Sequence, residues 1–521
     1  MEETIAIDFG TTNSAAYIYR NDKAELLPNL SEQGSYLFPS FVEYDAGSVI
    51  TCSPAKKNVG KPHKFVVSCV KRLIGLSFQQ YTKLEEKDIF GCDVAEGEDG
   101  YPEFIVSETG QRASCVDVAA ELFRTIKESA DHYCGRRFTK AYVTVPANFK
   151  DNQISAIRTA VVKAGLSVEK FITEPTAAAM SWCFEHSKEI KPNEKMLVYD
   201  FGGGTFDLSF LQCYSAARFR VLDVDGNPSL GGSDIDQQIM HFLQRTFQRT
   251  FGRPLLDPSE SDFTRRSAQL RSLSEQVKII LSVDSSYDVD FLDITGEEEE
   301  ELSVSRAMLA TLVRPILFKT VACIQRVLER GKLSPGAVRR VFLVGGSSKL
   351  PAVHELMERK FPKSKFPDVD PDHCVALGAM KMLMMDYGKQ RQVEERIVIS
   401  YGLRIENEVL IMLRRGTIIP AISPQYYFYN TTDFPESILS EVYQWEGVLS
   451  TVEDRIQLPV EECTKVALFQ FKNPDPKPKG SQHFCITFSL DVGGTLEVFC
   501  KDADTNEELN RTRIRGLYGG K

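Results

Sequence analysis

Two glycine-rich turns of similar composition begin at Asp8 and at Asp200 of this 521-residue chain. The first turn reads Asp8-Phe-Gly-Thr-Thr-Asn13, the second turn reads Asp200-Phe-Gly-Gly-Gly-Thr205, and each lies between two apolar runs. β-Branched and aromatic residues around a glycine-rich turn predict a strand, a turn and a second strand. A lone turn of this kind is typical of an ordinary hairpin, but two copies that both carry threonine favour a shared chemical role.

The residue types in both turns suit an anion together with a cation. Glycine lets backbone N–H groups approach an anion closely, and threonine hydroxyls add further donors. An aspartate beside those donors would repel phosphate unless a metal lay between them, directly or through its waters. The duplicated pattern therefore predicts a magnesium-bound nucleotide that is held from two sides.

Composition and charge exclude several other classes of protein. The formal net charge of −10 argues against a general nucleic-acid binder, because no basic excess is available for phosphate backbones. The Met-Glu-Glu start leads directly into a strand pattern, so we expect no signal peptide. The sequence has no uncharged apolar stretch that is long enough to predict a membrane span. The twelve cysteines lack CxxC and metal spacing. We therefore expect free thiols and a location in the cytosol or the nucleus.

The chain divides into an α/β part and a β-rich part. Residues 1–388 alternate strand-like runs with amphipathic helical runs, which predicts α/β layers. Residues 389–399 are polar and charged and are predicted to form a linker. Residues 400–510 carry short β-rich runs separated by Pro, Asn, Asp and Gly, which is typical of an all-β domain. A short basic tail, 511–521, is predicted to follow.

Local signals predict individual elements along both parts. Gly165 closes one helical run, and Pro351 stands near the start of another. The predicted elements are strands at 143–147, 338–344, 408–413, 441–445, 484–490 and 495–500, helices at 151–164 and 270–281, a solvated acidic loop at 297–301 and a hairpin turn at 491–494.

Three segments, in this order, resemble the signatures of the 70-kDa heat-shock chaperone family: residues 7–14, 198–209 and 341–351. Further matches to that family lie at 70–75, 143–147, 174–179 and 230–232, with Asp234 and Asp236. The resemblance is strong over 1 to about 388 and weaker in the β-rich part. It implies an actin-like fold of two lobes with ATP or ADP in the cleft between them, followed by a β-sandwich.

The resemblance also implies which residues hold the nucleotide. Both turns would contact its phosphates, and Glu275, Lys278 and Ser282 stand where a helix of the family contacts the ribose and base. The implied ATP-binding residues are Gly10, Thr11, Thr12, Asn13, Gly202, Gly203, Gly204, Thr205, Gly231, Gly232, Glu275, Lys278, Ser282, Gly345, Gly346, Ser347, Lys349 and Asp372.

Five residues would carry the hydrolysis by the same resemblance. Asp8 and Asp200 would bind Mg²⁺ through its waters, with K⁺ as a further candidate ion. Lys71 would orient water and stabilise charge on the γ-phosphate, and Glu174 would help to position the attacking water. Thr205 completes the implied catalytic set. Phosphoryl transfer depends on positioning and electrostatics more than on covalent chemistry, so these groups suffice. Without the family motifs around them, Lys71 and Glu174 would be interpreted as a surface ion pair.

The base end of the site departs from the family. Ile279 and Lys349 occupy positions where the family carries the two arginines that sandwich the adenine. Arginine stacks on a ring better than lysine does, and isoleucine offers only apolar contact. We therefore expect ATP binding to be retained but weakened.

The β-rich part carries the implied peptide groove. Leu413, Tyr427, Ile438 and Leu490 fall at or near groove positions of the family, and Ser440 stands where an aliphatic residue is usual. The alternative interpretation is that these residues form the core of a β domain.

Elements that couple the two parts in the family are only partly present. Pro146, a coupling residue, is retained, whereas Ile154 replaces the arginine that acts with it. Residues 396–399 are a loose counterpart of the leucine-rich linker strand. The helical lid and the acidic C-terminal tetrapeptide of the family are expected to be absent.

The favoured hypothesis is an ATP-dependent chaperone that hydrolyses ATP slowly. Its implied partners are unfolded or extended polypeptides, J-domain co-chaperones and nucleotide exchange factors, without nucleic acid or membrane insertion. The alternative is a non-cycling nucleotide-binding regulator or partner subunit of a chaperone assembly. A small-molecule kinase with the same ATPase core is disfavoured by the β-rich part and by residues 174–179.

Overall fold

The computed structural model describes residues 3–514 except 46, 62, 85–86, 216–217, 261, 297–300, 388–394, 398, 448–455 and 492–494. The predicted acidic loop, linker, hairpin turn at 491–494 and basic tail therefore lie in part outside the described residues.

The first lobe is built around one mixed sheet. The strands of this lobe are β1 (Thr4–Asp8), β2 (Asn13–Arg20), β3 (Lys23–Leu26), β4 (Phe38–Pro39), β5 (Val42–Asp45), β6 (Ser48–Thr51), β7 (Phe65–Val67), β8 (Val94–Glu96), β9 (Pro102–Ile105), β10 (Arg112–Ser114), β11 (Lys140–Val145) and β12 (Ser167–Thr173). Its helices are α1 (Cys52–Lys56), α2 (Phe78–Thr82), α3 (Cys115–Cys134), α4 (Asp151–Lys163) and α5 (Glu174–Cys183). The main sheet has the order β12-β11-β1-β2-β3, with β4 paired to β2.

The second lobe repeats the plan of the first. Its strands are β13 (Glu194–Phe201), β14 (Phe206–Ser215), β15 (Arg218–Asn227), β16 (Ser286–Asp290), β17 (Glu301–Ser305) and β18 (Arg340–Val344). Its helices are α6 (Gly232–Phe251), α7 (Phe263–Val283), α8 (Leu292–Thr295), α9 (Arg306–Arg330) and α10 (Pro351–Lys360). The last helix, α11 (Cys374–Tyr387), packs on β1, β2 and β11 of the first lobe. The main sheet has the order β15-β14-β13-β18.

Each turn joins two antiparallel strands and lies beside a parallel third strand. In the first lobe β1 pairs antiparallel with β2 and parallel with β11. In the second lobe β13 pairs antiparallel with β14 and parallel with β18. The structure therefore confirms the strand-turn-strand prediction for both turns and gives the two lobes equivalent hairpins.

A central core lies between the two sheets and belongs to both lobes. It contains the alanines of α5, residues of α11 such as Ala379 and Met380, and strand residues such as Ala6 and Val198. A Cβ on Gly378 of α11 would lie 1.7 Å from the carbonyl oxygen of Ala177 in α5. Only glycine allows the backbones to approach this closely, so α5 and α11 pack as one unit.

The β-rich part is built on two five-stranded sheets, beside one short two-stranded sheet. Its strands are β19 (Glu395–Arg396), β20 (Ser400–Ile405), β21 (Glu408–Leu413), β22 (Ile418–Ile419), β23 (Ala421–Ile422), β24 (Tyr426–Tyr429), β25 (Ser437–Trp445), β26 (Gln457–Pro459), β27 (Thr464–Lys472), β28 (His483–Leu490), β29 (Leu496–Asp502) and β30 (Glu508–Ile514). One sheet has the order β26-β21-β20-β25-β27; the other has β23-β28-β29-β30, with β24 on β28. A shared apolar core includes Leu403, Phe469, Phe488 and Val498. This arrangement is a β-sandwich.

The structure corrects the predicted bounds at two charged segments. Arg511 and Arg513 belong to β30 and not to a tail, because they alternate with Thr512 and the buried Ile514 in a strand that pairs with β29. Charged side chains on the outer face hid this alternation. Glu301, placed in the acidic loop by the sequence, begins β17 and pairs with Asp290.

Among the described residues, one helix has the length and composition of a membrane span. This helix, α9, passes that test by its sequence alone. Core helices of soluble proteins pass it as well, so it is weak evidence for a span. Leu309, Val313, Ile324 and Val327 of α9 are buried in the core of the second lobe.

The β-sandwich contacts the α/β part through polar groups. Tyr401 Oη of β20 donates to Asp151 Oδ1 of α4 at 2.9 Å. Arg415 Nη2 donates to Asp223 Oδ1 of β15 at 3.0 Å, and Lys150 pairs with Glu446. These contacts define the domain interface.

Candidate functional site

The two turns touch each other at the centre of the molecule. A Cβ on Gly203 of the second turn would lie 1.9 Å from Thr12 Oγ1 of the first turn. A Cβ on Gly204 would lie 2.5 Å from Thr11 Cγ2. The glycines of the second turn are therefore required by contact with the threonines of the first, and two segments far apart in sequence meet at one place.

A cavity of about 340 Å³ lies between the lobes beside this contact. The predicted residues that line it are Asp8, Gly10, Thr11, Thr12, Asn13, Lys71, Glu174, Asp200, Gly202, Gly203, Thr205, Glu275, Lys278, Ser282, Gly345, Gly346, Ser347, Lys349 and Asp372. Ile279 lines it as well, together with residues that the sequence analysis did not predict: Leu37, Val344, Leu350, Pro371 and Val375. These additional residues are apolar, as expected for a pocket that takes a flat organic ring.

Three predicted residues support the second turn and are not among the residues that line the cavity. A Cβ on Gly231 would lie 2.5 Å from the backbone nitrogen of Gly204. The N–H of Gly232 donates to the carbonyl of Gly202 at 2.9 Å. Gly204, Gly231 and Gly232 thus allow the start of α6 to pack directly against the turn.

One end of the cavity holds a buried lysine among carboxyl groups. Lys71 follows β7 in a short 3₁₀ turn at Val70–Arg72, and Glu174 is the first residue of α5. Lys71 Nζ donates to Glu174 Oε1 at 2.6 Å, and both side chains are less than one tenth exposed. Thr144 Oγ1 of β11 donates to Asp8 Oδ1 at 2.8 Å. The pair predicted from the sequence is therefore buried in the cleft and is not a surface ion pair.

Burial shifts the pKa of each carboxyl group at this end. It raises the pKa of Glu174 to about 7 and that of Asp207 to about 6, with Lys71 opposing both shifts. Burial, and then the neighbouring carboxylates, place the pKa of Asp200 well above its usual range. Burial also raises the pKa of Asp8. One lysine does not balance four carboxylates, so this end of the cavity favours an added cation.

The residues fit a magnesium ion that is held through its waters. Mg²⁺ keeps several waters and takes oxygen ligands, which the carboxylates of Asp8 and Asp200 supply. No cluster of three or more His, Cys, Asp or Glu that could ligate a metal directly occurs in the part of the chain that the structure describes. Asp207 was missed by the sequence analysis, although it lies opposite Asp200 in the β13–β14 register.

At the base end of the cavity, the polar side chains contact one another. Lys278 Nζ pairs with Asp236 Oδ1 at 2.7 Å, and Glu275 Oε2 pairs with Lys56 Nζ of the first lobe at 3.0 Å. Lys349 pairs with Asp372. This ion pair competes with any stacking of the Lys349 ammonium on a ring.

Arg72, also missed by the sequence analysis, connects the lobes beside the second turn. Its Nε donates to the carbonyl of Gly204 at 2.7 Å, and its Nη2 donates to Ser233 Oγ at 3.1 Å. Nη2 also lies 3.6 Å from Asp234 Oδ2. Its sequence signals were its place in the matched segment 70–75 and its charge directly after Lys71, and neither assigned it a role.

The predicted coupling residues are close in sequence to Lys150 and Asp151, which contact the β-sandwich. Pro146 follows β11 and accepts at its carbonyl from the N–H of Phe149. Ile154 of α4 packs against the apolar core of the first lobe.

Burial raises the pKa of Asp151 to about 7, while the hydrogen bond from Tyr401 opposes that shift. The sequence did not single out Asp151, Tyr401 or Arg415, because their partners lie in the other domain.

The predicted groove residues differ in their exposure. Leu413 and Leu490 are 2% and 5% exposed and belong to the core of the β-sandwich, as the alternative interpretation expected. Ile438 is partly buried against that core. Tyr427, on β24, is 63% exposed. A role for these residues in peptide binding stays a prediction.

In a comparison with protein-family models, the family described as "Hsp70 protein" matches residues 4–517 of the chain. The match includes both turns, the cleft between the lobes and nearly all of the β-sandwich.

Proposed function

The chain belongs to the Hsp70 family, whose members are ATP-dependent chaperones, and we propose that it binds and hydrolyses ATP in the cleft between its lobes to regulate the binding of unfolded polypeptide segments. The observation that carries this proposal is the buried Lys71–Glu174 pair beside two touching phosphate turns. The actin-like ATPase fold and the use of Mg²⁺ with ATP or ADP accord with the family and with the mixed α/β structure.

The chain's own groups supply what hydrolysis of the terminal phosphate needs. Bound Mg²⁺ neutralises phosphate charge, and Asp8 and Asp200 would hold it through water. Lys71 presents a fixed positive charge to the transferring phosphoryl group. Glu174, with a pKa of about 7, can accept a hydrogen bond from the attacking water. Positioning and electrostatics of this kind carry phosphoryl transfer.

The proposal includes weak binding at the base end. Ile279 gives the ring an apolar contact only, and Lys349 is paired with Asp372. Neither offers the planar guanidinium that stacks on a base. Nucleotide affinity would then come mainly from the phosphate end.

We also propose that the β-sandwich binds extended apolar peptides, that J-domain proteins stimulate hydrolysis, and that exchange factors release ADP. The proposed location is the cytosol or nucleus.

A second candidate function is that of a non-cycling nucleotide-binding regulator. The burial of Leu413 and Leu490 favours it, because two of the four predicted groove residues are not open to a peptide.

A single-turnover experiment tests the proposed function. ATP hydrolysis is measured with and without an apolar peptide and a J-domain, in the wild type and in Lys71→Ala. Removing the cation should slow hydrolysis by about 100- to 1000-fold and abolish any stimulation. Lys163→Ala is the matched control, because Lys163 of α4 forms an exposed ion pair with Asp117 of α3.

Each outcome selects one candidate. Stimulated hydrolysis that depends on Lys71 supports the chaperone cycle. Bound ATP with no response to peptide or J-domain would instead support the regulator. Equal rates in Lys71→Ala and the wild type would contradict the proposed role of the lysine.

A further inference from the structure

The carbonyl groups of the second turn are each held by a hydrogen-bond donor. The acceptor and donor pairs are Gly202 O with Gly232 N at 2.9 Å, Gly203 O with Ser233 N at 2.8 Å, and Gly204 O with Arg72 Nε at 2.7 Å. The first two donors are backbone groups of α6, in the same lobe. The third is a side chain from the other lobe.

We propose that Arg72 is a positioning residue for ATP hydrolysis, which fixes the orientation of the Gly204–Thr205 peptide from across the cleft. The inference rests on the proposed hydrolysis of ATP. In a trans peptide the C=O and N–H groups point in opposite directions. A carbonyl of Gly204 held by Arg72 therefore directs the N–H of Thr205 away from Arg72. Glycine would otherwise let this peptide rotate freely.

The geometry requires a guanidinium. Arg72 reaches the Gly204 carbonyl and the Ser233 hydroxyl with two different nitrogens, and its side chain is only 5% exposed. The same Nη2 lies near Asp234 Oδ2, and this oxygen accepts from the N–H of Gly231 at 2.6 Å. Lysine has the charge but lacks the planar fork that engages two acceptors at fixed angles.

Arg72 also links the second turn to the lysine proposed to be catalytic. Lys71 and Arg72 are consecutive in the Val70–Arg72 turn, and they point to different partners. Lys71 donates to Glu174 of its own lobe, while Arg72 donates to the turn of the other lobe. A change in the separation of the lobes at Arg72 would therefore alter the distance between Lys71 and the second turn, on which the hydrolysis rate depends.

The test separates positioning from binding. Arg72→Lys should slow single-turnover hydrolysis at saturating ATP by about 10- to 100-fold, because misplaced groups cost rate. The Kd of a non-hydrolysable ATP analogue should change by less than about threefold, since Arg72 is not among the residues that line the cavity. Ser233→Ala, which removes one acceptor, should give a smaller defect of the same kind.

Hydrogen exchange without nucleotide provides an independent readout. Peptides that cover residues 202–209 should exchange faster in Arg72→Lys than in the wild type. Arg266→Lys is the matched control, because Arg266 is also buried and donates to a backbone carbonyl, that of Leu255, at 2.7 Å. Its rate and its exchange over 202–209 should equal those of the wild type.

The outcomes distinguish this inference from the proposed function. Arg72→Lys with wild-type rate, or with unchanged exchange over 202–209, overturns the inference while leaving the proposed function intact. A parallel loss of rate and analogue affinity also overturns it, since Arg72 would then act on binding. An inactive wild type overturns the proposed function, and the exchange measurement still shows whether Arg72 holds the turn.

Discussion

Single side chains divide the nucleotide cleft into two ends of different chemistry. At the phosphate end, Lys71 is buried among four carboxyl groups whose pKa values are all raised by burial. At the base end, the exposed Ile279 and the Lys349–Asp372 pair provide little ring stacking. We therefore expect substitutions at the base end to change nucleotide affinity alone, and those at the phosphate end to change the rate of hydrolysis as well.

Restoring guanidinium groups at the base end should strengthen nucleotide binding. The double variant Ile279→Arg and Lys349→Arg offers two cation–π contacts, each of about 0.5–1 kcal/mol at an exposed site, so the Kd for ATP should fall about 5- to 30-fold. Isothermal titration measures it. Val283→Arg is the control, because Val283 lies one turn further along α7 and is 78% exposed. An unchanged Kd in the double variant would contradict the expectation of weakened binding.

Residues of the site were predictable from the sequence where their signal is local. Gly203 and Thr12 belong to short motifs whose strand, glycine and threonine pattern carries its own meaning. Arg72 and Asp207 lie inside matched segments, but no residue pattern there assigns either of them a role. Their roles come from partners such as Gly204 and Lys71, which only the folded chain brings within reach.

At the scale of elements, the α5–α11 contact holds the lobes together through their backbones. Gly378 lies against the carbonyl of Ala177, and the surrounding core draws on strands of both lobes. A helix pair in this position transmits any movement of one sheet to the other, because close-packed interiors do not compress.

Gly378→Ala tests this contact. Alanine would gain about 1 kcal/mol of helix propensity, but its Cβ would lie 1.7 Å from a backbone oxygen, which α5 cannot avoid without moving. We expect a net loss of about 1–3 kcal/mol in the free energy of unfolding, measured by urea denaturation. Gly336→Ala, whose Cβ would have Ser334 Oγ at 3.9 Å as its neighbour, should be nearly neutral. Equal stabilities for the two variants would contradict the close contact.

The bounds of elements were predictable where apolar periodicity was clear. Both hairpins and α4 follow the predicted pattern, whereas β30 was hidden because Arg511 and Arg513 occupy its outer face. Strand pairing with β29 decides the structure there. Local composition does not contain that information.

At the scale of the whole molecule, the domain interface buries an acid. Asp151 Oδ1 accepts from Tyr401 Oη, while its Oδ2 is buried without a hydrogen-bond partner among the described residues. Burial raises its pKa to about 7, from 3.8 when exposed. The contact between the domains is therefore sensitive to the protonation of one carboxyl group.

Domain docking should weaken as the pH rises. The docked state binds more protons than the separated state between about pH 4 and pH 7, so docking is strongest below that range and loses up to about tenfold per pH unit across it. Above about pH 7 the effect should level off. Small-angle scattering at several pH values measures the separation of the domains.

Two variants check this assignment. Asp151→Asn should remove the pH dependence, because its amide does not titrate in this range. Tyr401→Phe should raise the pKa of Asp151 further, since the carboxylate loses its donor, so docking should go on weakening above about pH 7. A pH profile that persists in Asp151→Asn would assign the effect to another group.

The shared core between the lobes has a consequence for the order of synthesis. Helix α11 is the last element of the α/β part, yet it packs against α5 and lies in one core with Ala6 of β1. While the ribosome is still adding residues before 374, the apolar face of α5 has no cover from α11. The core shared between the lobes can close only when the α/β part is almost complete, so a nascent chain of this protein must keep that face of α5 protected for most of its own translation.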